Sequence, residues 1–293
     1  MDKPLSQPEN NFKEKITSVV LCAGEGTRVK NITRNLPKSL LKVNSLNNQT
    51  ILSLVFSNLK KLNLDPIIVV TGHLGECIED FVYSFKAENQ YGEDSIILHS
   101  SGDDYKLGPL FSFLSITKNN QIFKEDKLFM VFPGDTVFDF NLIQEILNLL
   151  LENYSQVINR SIIFYRQIRT DVLKKKFEKY FPKYEKSISY LRIEEKDSIA
   201  IVKEISQEKL SSFSNQEVIQ QVIPIFIFSN AYIKAIKDIS SSANIRTIRE
   251  VVNIMLERER LFFAVSVSPE NNFYDIDIPL DLKILNEKKK SGQ

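Results

Sequence analysis

The chain has 293 residues, with 38 Lys and Arg against 37 Asp and Glu, and a net charge of +1. This length allows one large or two medium domains, and the near-neutral charge gives no global field that would attract nucleic acid or an acidic membrane. Two cysteines and two histidines are too few for a disulfide framework or a Cys/His zinc site. The polar N-terminus and the lack of any apolar run of ~18–20 residues predict a cytoplasmic protein that binds neither nucleic acid nor a membrane.

Short apolar or β-branched runs alternate with helical patterns in the first half of the chain. Strands are predicted at 16–22, 66–71, 95–99 and 127–132, and helices at 50–64, 76–86, 108–117 and 142–152. Such alternation is typical of βαβ units and predicts a mostly parallel sheet. The polar residues 1–15 that precede it predict a disordered tail.

The second half is less regular. Strands are predicted at 157–165, 188–193, 199–205, 221–228 and 261–267, and helices at 230–240, 245–259 and 279–288. We expect the strands at 188–193, 199–205 and 221–228 to add to the sheet in antiparallel fashion. The basic stretch 171–186, which Pro182 interrupts, favours a solvated helix face over a nucleic-acid surface. Without a repeat or a linker, the sequence predicts one domain over 16–288 and a short tail at 289–293.

Glycine is concentrated in the first half, where eight of the nine lie between residues 24 and 134. The first predicted strand runs into Ala23, Gly24, Glu25, Gly26, Thr27 and Arg28, and Lys38 follows ten residues later. Ligands bind at the carboxyl ends of parallel strands, where glycines let backbone amides face an anion and basic side chains hold it. The spacing fits neither a dinucleotide-binding fingerprint nor a P-loop. An ordinary strand–helix turn with solvated basic residues is the alternative.

Residues 20–43, VLCAGEGTRVKNITRNLPKSLLKV, resemble the signature of the sugar-phosphate nucleotidyltransferase superfamily. The G-x-G-T-R block and the later Pro-Lys pair fall in register, whereas Cys22 and Asn31 replace a usual alanine and a usual proline. The similarity continues at 67–82, 132–135 and 273–282, so it covers about residues 16–288.

The resemblance implies an α/β fold, a three-layer Rossmann-like domain with a mostly parallel, mixed central sheet, as in nucleotide-diphospho-sugar transferases. It implies an NTP-binding half at about 16–135 and an acceptor-binding half at about 136–288. The implied reaction joins an NTP to a phosphorylated small molecule and releases pyrophosphate. The acceptor would be a sugar 1-phosphate or another phosphorylated alcohol, such as inositol phosphate or phosphocholine. Whether the chain forms a homo-oligomer is left open.

The resemblance also implies roles for single residues. Arg28 and Lys38 are the expected catalytic cations, and the expected nucleotide-binding residues are Ala23, Gly24, Glu25, Gly26, Thr27 and Gly108. Asp135 and Asp275 are expected to hold Mg²⁺, with Asp277 as a further candidate. Mg²⁺ prefers few carboxylates together with phosphate oxygens and water, which agrees with this set. The alternatives are that Asp135 is a turn residue and that Gly108 starts a helix.

The acceptor end departs from the family pattern. Ile205 stands where the family has the lysine of its E-K-P motif, although Glu204 is kept and is expected to bind the acceptor. Lys203 and Lys209 are the candidate substitutes for that lysine. Two other functions compete with the transferase: a catalytically inactive regulatory or assembly subunit, and a molybdenum cofactor-type nucleotidyltransferase that acts on a cofactor precursor.

Overall fold

The computed structural model describes residues 12–33, 35–124, 127–153, 161–178, 185–196, 199–241 and 244–288. The first eleven residues of the predicted N-terminal tail, the start of the strand predicted at 157–165, Pro182 and the tail 289–293 lie outside these ranges. The tail boundary at residue 15 was wrong. Phe12 is buried in the core, and the carbonyl oxygen of Lys15 accepts a hydrogen bond from the amide of Leu128 at 2.8 Å, so residues 12–15 belong to the fold.

A nine-stranded sheet crosses the described part of the chain in the order β5-β4-β1-β6-β11-β8-β12-β10-β9. Two short ribbons accompany it, β2 with β3 and β7 with β13. The strands are β1 (Ile16–Leu21), β2 (Lys42–Val43), β3 (Gln49–Thr50), β4 (Ile67–Thr71), β5 (Ile96–Ser100), β6 (Leu128–Pro133), β7 (Thr136–Phe138), β8 (Ser161–Arg169), β9 (Ser187–Lys196), β10 (Ile199–Lys209), β11 (Val218–Ser229), β12 (Phe262–Val267) and β13 (Phe273–Asp275).

The sheet is parallel in its first half and mixed in its second, as predicted. Strands β5, β4, β1 and β6 are parallel to one another. Strand β11 is antiparallel to both β6 and β8, β12 is parallel to β8, and β10 is antiparallel to β12 and β9. The predicted antiparallel additions are therefore confirmed.

Helices cover both faces of the sheet. They are α1 (Lys30–Thr33), α2 (Ile51–Lys61), α3 (Gly75–Glu88), α4 (Pro109–Leu114), α5 (Phe140–Glu152), α6 (Thr170–Phe177), α7 (Asn230–Ser240), α8 (Ile248–Glu257) and α9 (Pro279–Lys288). Helix α8 begins three residues later than predicted, because Thr247 and Glu250 form a reciprocal capping box at its start. None of the described helices has both the length and the apolar character that crossing a bilayer requires.

Alternate residues of β4 show why the domain has three layers. Ile67 and Val69 pack into one buried cluster, which includes residues of α2, α3 and α5. Ile68 and Val70 pack into another, which includes residues of α4, α7 and α8. Since successive strand residues point to opposite faces, each cluster lies on its own side of the sheet. Both faces are buried, which explains the continuous apolar runs that the sequence shows at β1, β4 and β6.

Candidate active site

The loop that follows β1 lines a cavity of about 370 Å³. The predicted residues that line it are Ala23, Gly24, Glu25, Gly26, Thr27, Arg28, Lys38, Asp135 and Asp277. Gly26 has φ +57, a left-handed conformation that favours glycine and turns the loop back toward Lys38. The cavity therefore collects, at the carboxyl end of β1, almost the whole nucleotide set that the sequence predicts.

Lys38 is the central cation of this cavity. It begins a 3-10 turn, Lys38–Leu40, that follows the extended Pro37, and its side chain is 11% exposed. The ammonium lies 2.5 Å from Asp135 Oδ2 and 3.9 Å from Asp277 Oδ1. Arg28, by contrast, is 70% exposed and reaches Asp277 Oδ1 from the rim at 3.2 Å. Both predicted cations thus converge on carboxylates at the cavity wall.

The ribbon formed by β7 and β13 brings the distant aspartates together. Asp135 directly precedes β7, and Asp275 at the end of β13 pairs with Thr136. The amide of Ile276 donates to the backbone carbonyl oxygen of Asp135 at 3.2 Å, and Thr136 Oγ1 lies 3.5 Å from Asp275 Oδ1. Asp275 and Asp277, two residues apart, then flank this end of the ribbon.

The carboxylates perturb one another. The partly buried position of Asp275 and the neighbouring negative charges of Asp135 and Asp277 raise the pKa of Asp275 well above its usual value. Burial opposes ionisation of Asp277 too, but the positive charge of Lys186, a hydrogen bond with Asp275 and the positive charge of Lys38 outweigh it and lower the pKa of Asp277. The site therefore holds a carboxylate that is costly to ionise beside one that stays ionised.

A second cavity, of about 300 Å³, adjoins the first. Asp277 and Pro133 line both cavities, whereas Asp275 lines the second and Asp135 the first. The paired carboxylates consequently stand at the junction between two spaces. This arrangement can hold two ligands so that each reaches the same charged groups.

Lys186 is a member of this site that the sequence did not reveal. It lies in the basic stretch 171–186 that we expected to be a solvated helix face, yet its side chain is only 12% exposed. Its ammonium lies 3.4 Å from Asp277 Oδ2, 3.4 Å from Asp281 Oδ1 and 3.8 Å from Asp275 Oδ2. Burial alone would lower the pKa of Lys186, but the three aspartates raise it. The available signal was its place two residues before the strand predicted at 188–193.

Two of the predicted site residues, Gly108 and Glu204, are not among the described residues that line either cavity. Gly108 has φ +121, and a Cβ there would stand 2.7 Å from the carbonyl oxygen of Arg246, so close packing already requires a glycine. Its neighbour Pro109 does line both cavities.

Glu204, on β10, forms an ion pair with Arg192 of β9 at 3.3 Å. The adjacent Ile205 lines the second cavity. Contacts of Gly108 with a base and of Glu204 with an acceptor stay predictions.

The two candidate substitutes for the family lysine are surface residues. Lys203 forms an ion pair with Glu194, and its side chain is more than half exposed. Lys209 pairs with Glu185 at 2.8 Å. Neither is among the described residues that line the second cavity. The lysine that does line it is Lys186.

Cys22 contributes a neutral group to the wall of the first cavity. It is a buried free cysteine. Burial raises the pKa of its thiol to about 12; the neighbouring Ser39 hydroxyl acts against this rise, and the negative charge of Asp135 adds to it. The thiol stays protonated at neutral pH, so this replacement of the family alanine adds volume without adding charge.

Comparison with solved structures identifies the class of fold as that of the nucleotidyltransferases. A UDP-glucose pyrophosphorylase complexed with UDP-glucose matches with a TM-score of 0.65 at 13% identity, over 94% of this chain and 99% of the other. CTP:phosphocholine cytidylyltransferase from Streptococcus pneumoniae matches with a TM-score of 0.60 at 17% identity, over 94% and 99%.

The chain belongs to the family of MobA-like NTP transferase domains, whose model matches residues 18–253. Among curated proteins, the UTP–glucose-1-phosphate uridylyltransferase of Synechocystis sp. is 27% identical over 128 residues. The match covers 43% of this chain and 32% of that relative. The chain therefore spans about a third of the length of this relative.

Proposed function

We propose that the chain is an Mg²⁺-dependent nucleotidyltransferase that joins an NTP to a phosphorylated small molecule and releases pyrophosphate. The observation that carries this proposal is the meeting of two cavities at Asp277, beside the Lys38–Asp135 ion pair. Family membership supports the same reaction class. We assign the NTP to the first cavity and to residues of about 16–135, and the acceptor to the second cavity and to residues of about 136–288.

The triphosphate would lie along the loop after β1. The backbone amides of residues 24–27 and the planar guanidinium of Arg28 would hold the β- and γ-phosphates. Lys38, which is largely buried beside Asp135, would bind the α-phosphate and stabilise the negative charge that builds up there during transfer. Tyr105 and Ser112 line the same cavity near the start of α4, and we place the nucleobase at this side.

The donor set suits Mg²⁺. Asp135 and Asp275, with Asp277 beside them, are hard oxygen ligands. Burial and their mutual repulsion raise the pKa of Asp275, and a divalent cation would relieve the repulsion. Among the described residues, no group of three or more His, Cys, Asp or Glu has the geometry of a metal site. Mg²⁺ is commonly held by one or two carboxylates, completed by substrate phosphates and water. When bound, it would neutralise phosphate charge.

The reaction needs no general base from the protein. The second pKa of a phosphomonoester is ~6, so the acceptor is already largely dianionic at pH 7. One of its oxygens attacks the α-phosphorus of the NTP, a new P–O bond forms, and the bond to pyrophosphate breaks. The contribution of the chain is then to align the two substrates and to neutralise charge with Arg28 and Lys38.

The charged set favours an enzyme over an inactive assembly subunit. Arg28, Lys38, Asp135 and Asp277 line a single cavity, and Asp275 stands at the same end of the ribbon. A subunit used for assembly alone has no need to keep a carboxylate, such as that of Asp275, whose ionisation is opposed by burial and by neighbouring negative charges. A cofactor precursor as acceptor would use the same machinery, so it is a different substrate rather than a separate mechanism.

Pyrophosphate release with a substrate panel tests the proposal. The protein is incubated with each of the four NTPs and with glucose 1-phosphate, inositol 1-phosphate, phosphocholine or phosphoglycolate, with and without Mg²⁺. We expect acceptor-dependent release that requires Mg²⁺ and that is lost in Lys38→Ala. Tight NTP binding with no release for any acceptor would instead identify the inactive subunit.

A further inference from the structure

The second cavity has a cation at each of two positions. Lys186 stands beside Asp275 and Asp277, and Arg249, near the start of α8, lines the wall elsewhere. Arg249 Nη1 donates to Gln207 Oε1 at 2.6 Å. Gln207 pairs with Ser189 across the β9–β10 hairpin. Ser189 lies three residues beyond Lys186, which corresponds to roughly 10 Å of backbone along the strand.

Neither cation is saturated by a close anionic partner. The donors of Lys186 meet oxygens of Asp275, Asp277 and Asp281 at 3.3–3.8 Å, whereas charge-assisted hydrogen bonds are typically about 2.7–2.9 Å. Its ammonium can therefore turn to a closer anion. Arg249 is half-buried and forms no salt bridge with any carboxylate of the described residues, and Gln207, its hydrogen-bond acceptor, is neutral.

The wall between the two cations is mostly apolar and carries no further negative charge; its neutral polar members are Ser187, Ser189, Gln207 and Gln221. It includes Val131 and Phe226 of the central sheet, Ile205 of β10 and Ile248 of α8. The carboxylates among its described lining residues are Asp275 and Asp277, both beside Lys186. An apolar wall lowers the local dielectric and strengthens each charge interaction. An acceptor with a positively charged group would therefore be repelled by Arg249, beside which no described lining residue carries a negative charge.

We propose that the acceptor is a phosphomonoester with a second anionic group, whose phosphate is held by Lys186 and whose second group is held by Arg249. This inference rests on the proposed function, since it assigns the acceptor to the second cavity. It supplies from Lys186 the phosphate contact that Ile205 cannot make. It also selects against acceptors with a cationic body, such as phosphocholine.

Binding of three probes by calorimetry tests the assignment without any turnover. Inorganic phosphate reports the phosphate contact alone, phosphoglycolate adds a carboxylate, and phosphoethanolamine adds an ammonium to a body of similar size. For the wild type, we expect phosphoglycolate to bind at least about tenfold more tightly than phosphoethanolamine. Equal binding of the two, or tighter binding of phosphoethanolamine, would overturn the proposal.

Variants separate the two contacts. Arg249→Gln should remove the preference for phosphoglycolate and leave inorganic phosphate unaffected, whereas Lys186→Met should weaken all three probes about tenfold or more, with partial recovery in Lys186→Arg. Lys203→Gln, an exposed cation of the same hairpin, is the matched control. If Lys186→Met fails to fold, the probe preference and Arg249→Gln still decide. An unchanged preference in Arg249→Gln contradicts the assignment.

These outcomes differ from those that bear on nucleotidyl transfer. If the probes bind as expected but no pyrophosphate is released with any NTP, the anion site stands and the proposed reaction fails. If pyrophosphate is released but Lys186→Met leaves the acceptor KM unchanged, the reaction stands and the role of Lys186 is wrong.

Discussion

Thr136 and Asp275 face each other in the β7–β13 ribbon, although 139 residues separate them in the chain. Asp139 secures the other end of the ribbon, where its amide donates to the carbonyl oxygen of Asn272 at 3.0 Å and its carboxylate accepts from the amide of Asn272 at 3.1 Å. Because of this pairing, Asp135 and Asp275 stand side by side at the junction of the two cavities.

Lys38→Ala and Asp135→Ala should each lower the rate of pyrophosphate release by about 10²–10³. Each substitution removes one partner of the 2.5 Å ion pair at the proposed site of transfer. Release would be measured with the NTP and acceptor that the panel selects, and thermal unfolding would verify that both variants fold. Lys42→Ala, an exposed lysine of β2, is the matched control and should retain the wild-type rate. Near-normal turnover in Lys38→Ala would refute its assignment.

Asp275→Asn should stabilise the metal-free protein. The folded-state pKa of Asp275 is raised above the unfolded value, so the fold loses stability as pH rises from the unfolded value through that pKa, and a penalty is present at neutral pH. An isosteric amide removes the charge and hence the penalty. We expect a rise in the unfolding midpoint of about 2–4 °C at pH 7, measured with a chelator present. The difference from wild type should vanish near pH 4, and a lower midpoint at pH 7 would contradict the prediction.

Mg²⁺ affinity should fall as the pH drops below neutral. The raised pKa of Asp275 means that its proton competes with the cation at a higher pH than for an ordinary carboxylate. Asp277, whose pKa is lowered, should stay ionised over the same range. Calorimetric titration of Mg²⁺ between pH 5 and pH 8 would show this dependence. A pH-independent affinity above pH 5 would show that Asp275 does not bind the cation.

Gly108→Ala and Gly24→Ala should fail in different ways. A Cβ at Gly108 would lie 2.7 Å from the carbonyl oxygen of Arg246, at φ +121, so alanine should cost at least about 1–2 kcal/mol of stability. A Cβ at Gly24 would meet nothing within 4 Å, so the fold should keep its stability. Since Gly24 lines the first cavity, its new methyl group should instead weaken NTP binding. Unfolding and NTP titration of both variants separate these effects; equal stability of the two would contradict the prediction.

Local patterns in the sequence were sufficient to predict the strands and helices and the first of the two cavities. The alternation of apolar and helical segments predicted the parallel strands because both faces of β1, β4 and β6 are buried, and the segment around Gly26 and Lys38 predicted the first cavity because its residues are neighbours in the chain. The capping box of Thr247 and Glu250 was also present in the sequence, and it sets the true start of α8.

Only the tertiary structure showed which residues lie opposite the loop that follows β1. Apart from the predicted strand nearby, nothing in the basic stretch indicated that Lys186 joins Asp275, Asp277 and Asp281, because burial depends on what packs above a residue and not on its neighbours in the chain. Glu204 and Ile205 are a second example. The sequence predicted that Glu204 binds the acceptor, but of these two residues it is Ile205 that lines the second cavity. A sequence determines which residues form strands and turns through short-range sterics and hydrophobic spacing. Which distant charges meet is set by strand pairing and side-chain packing across the fold.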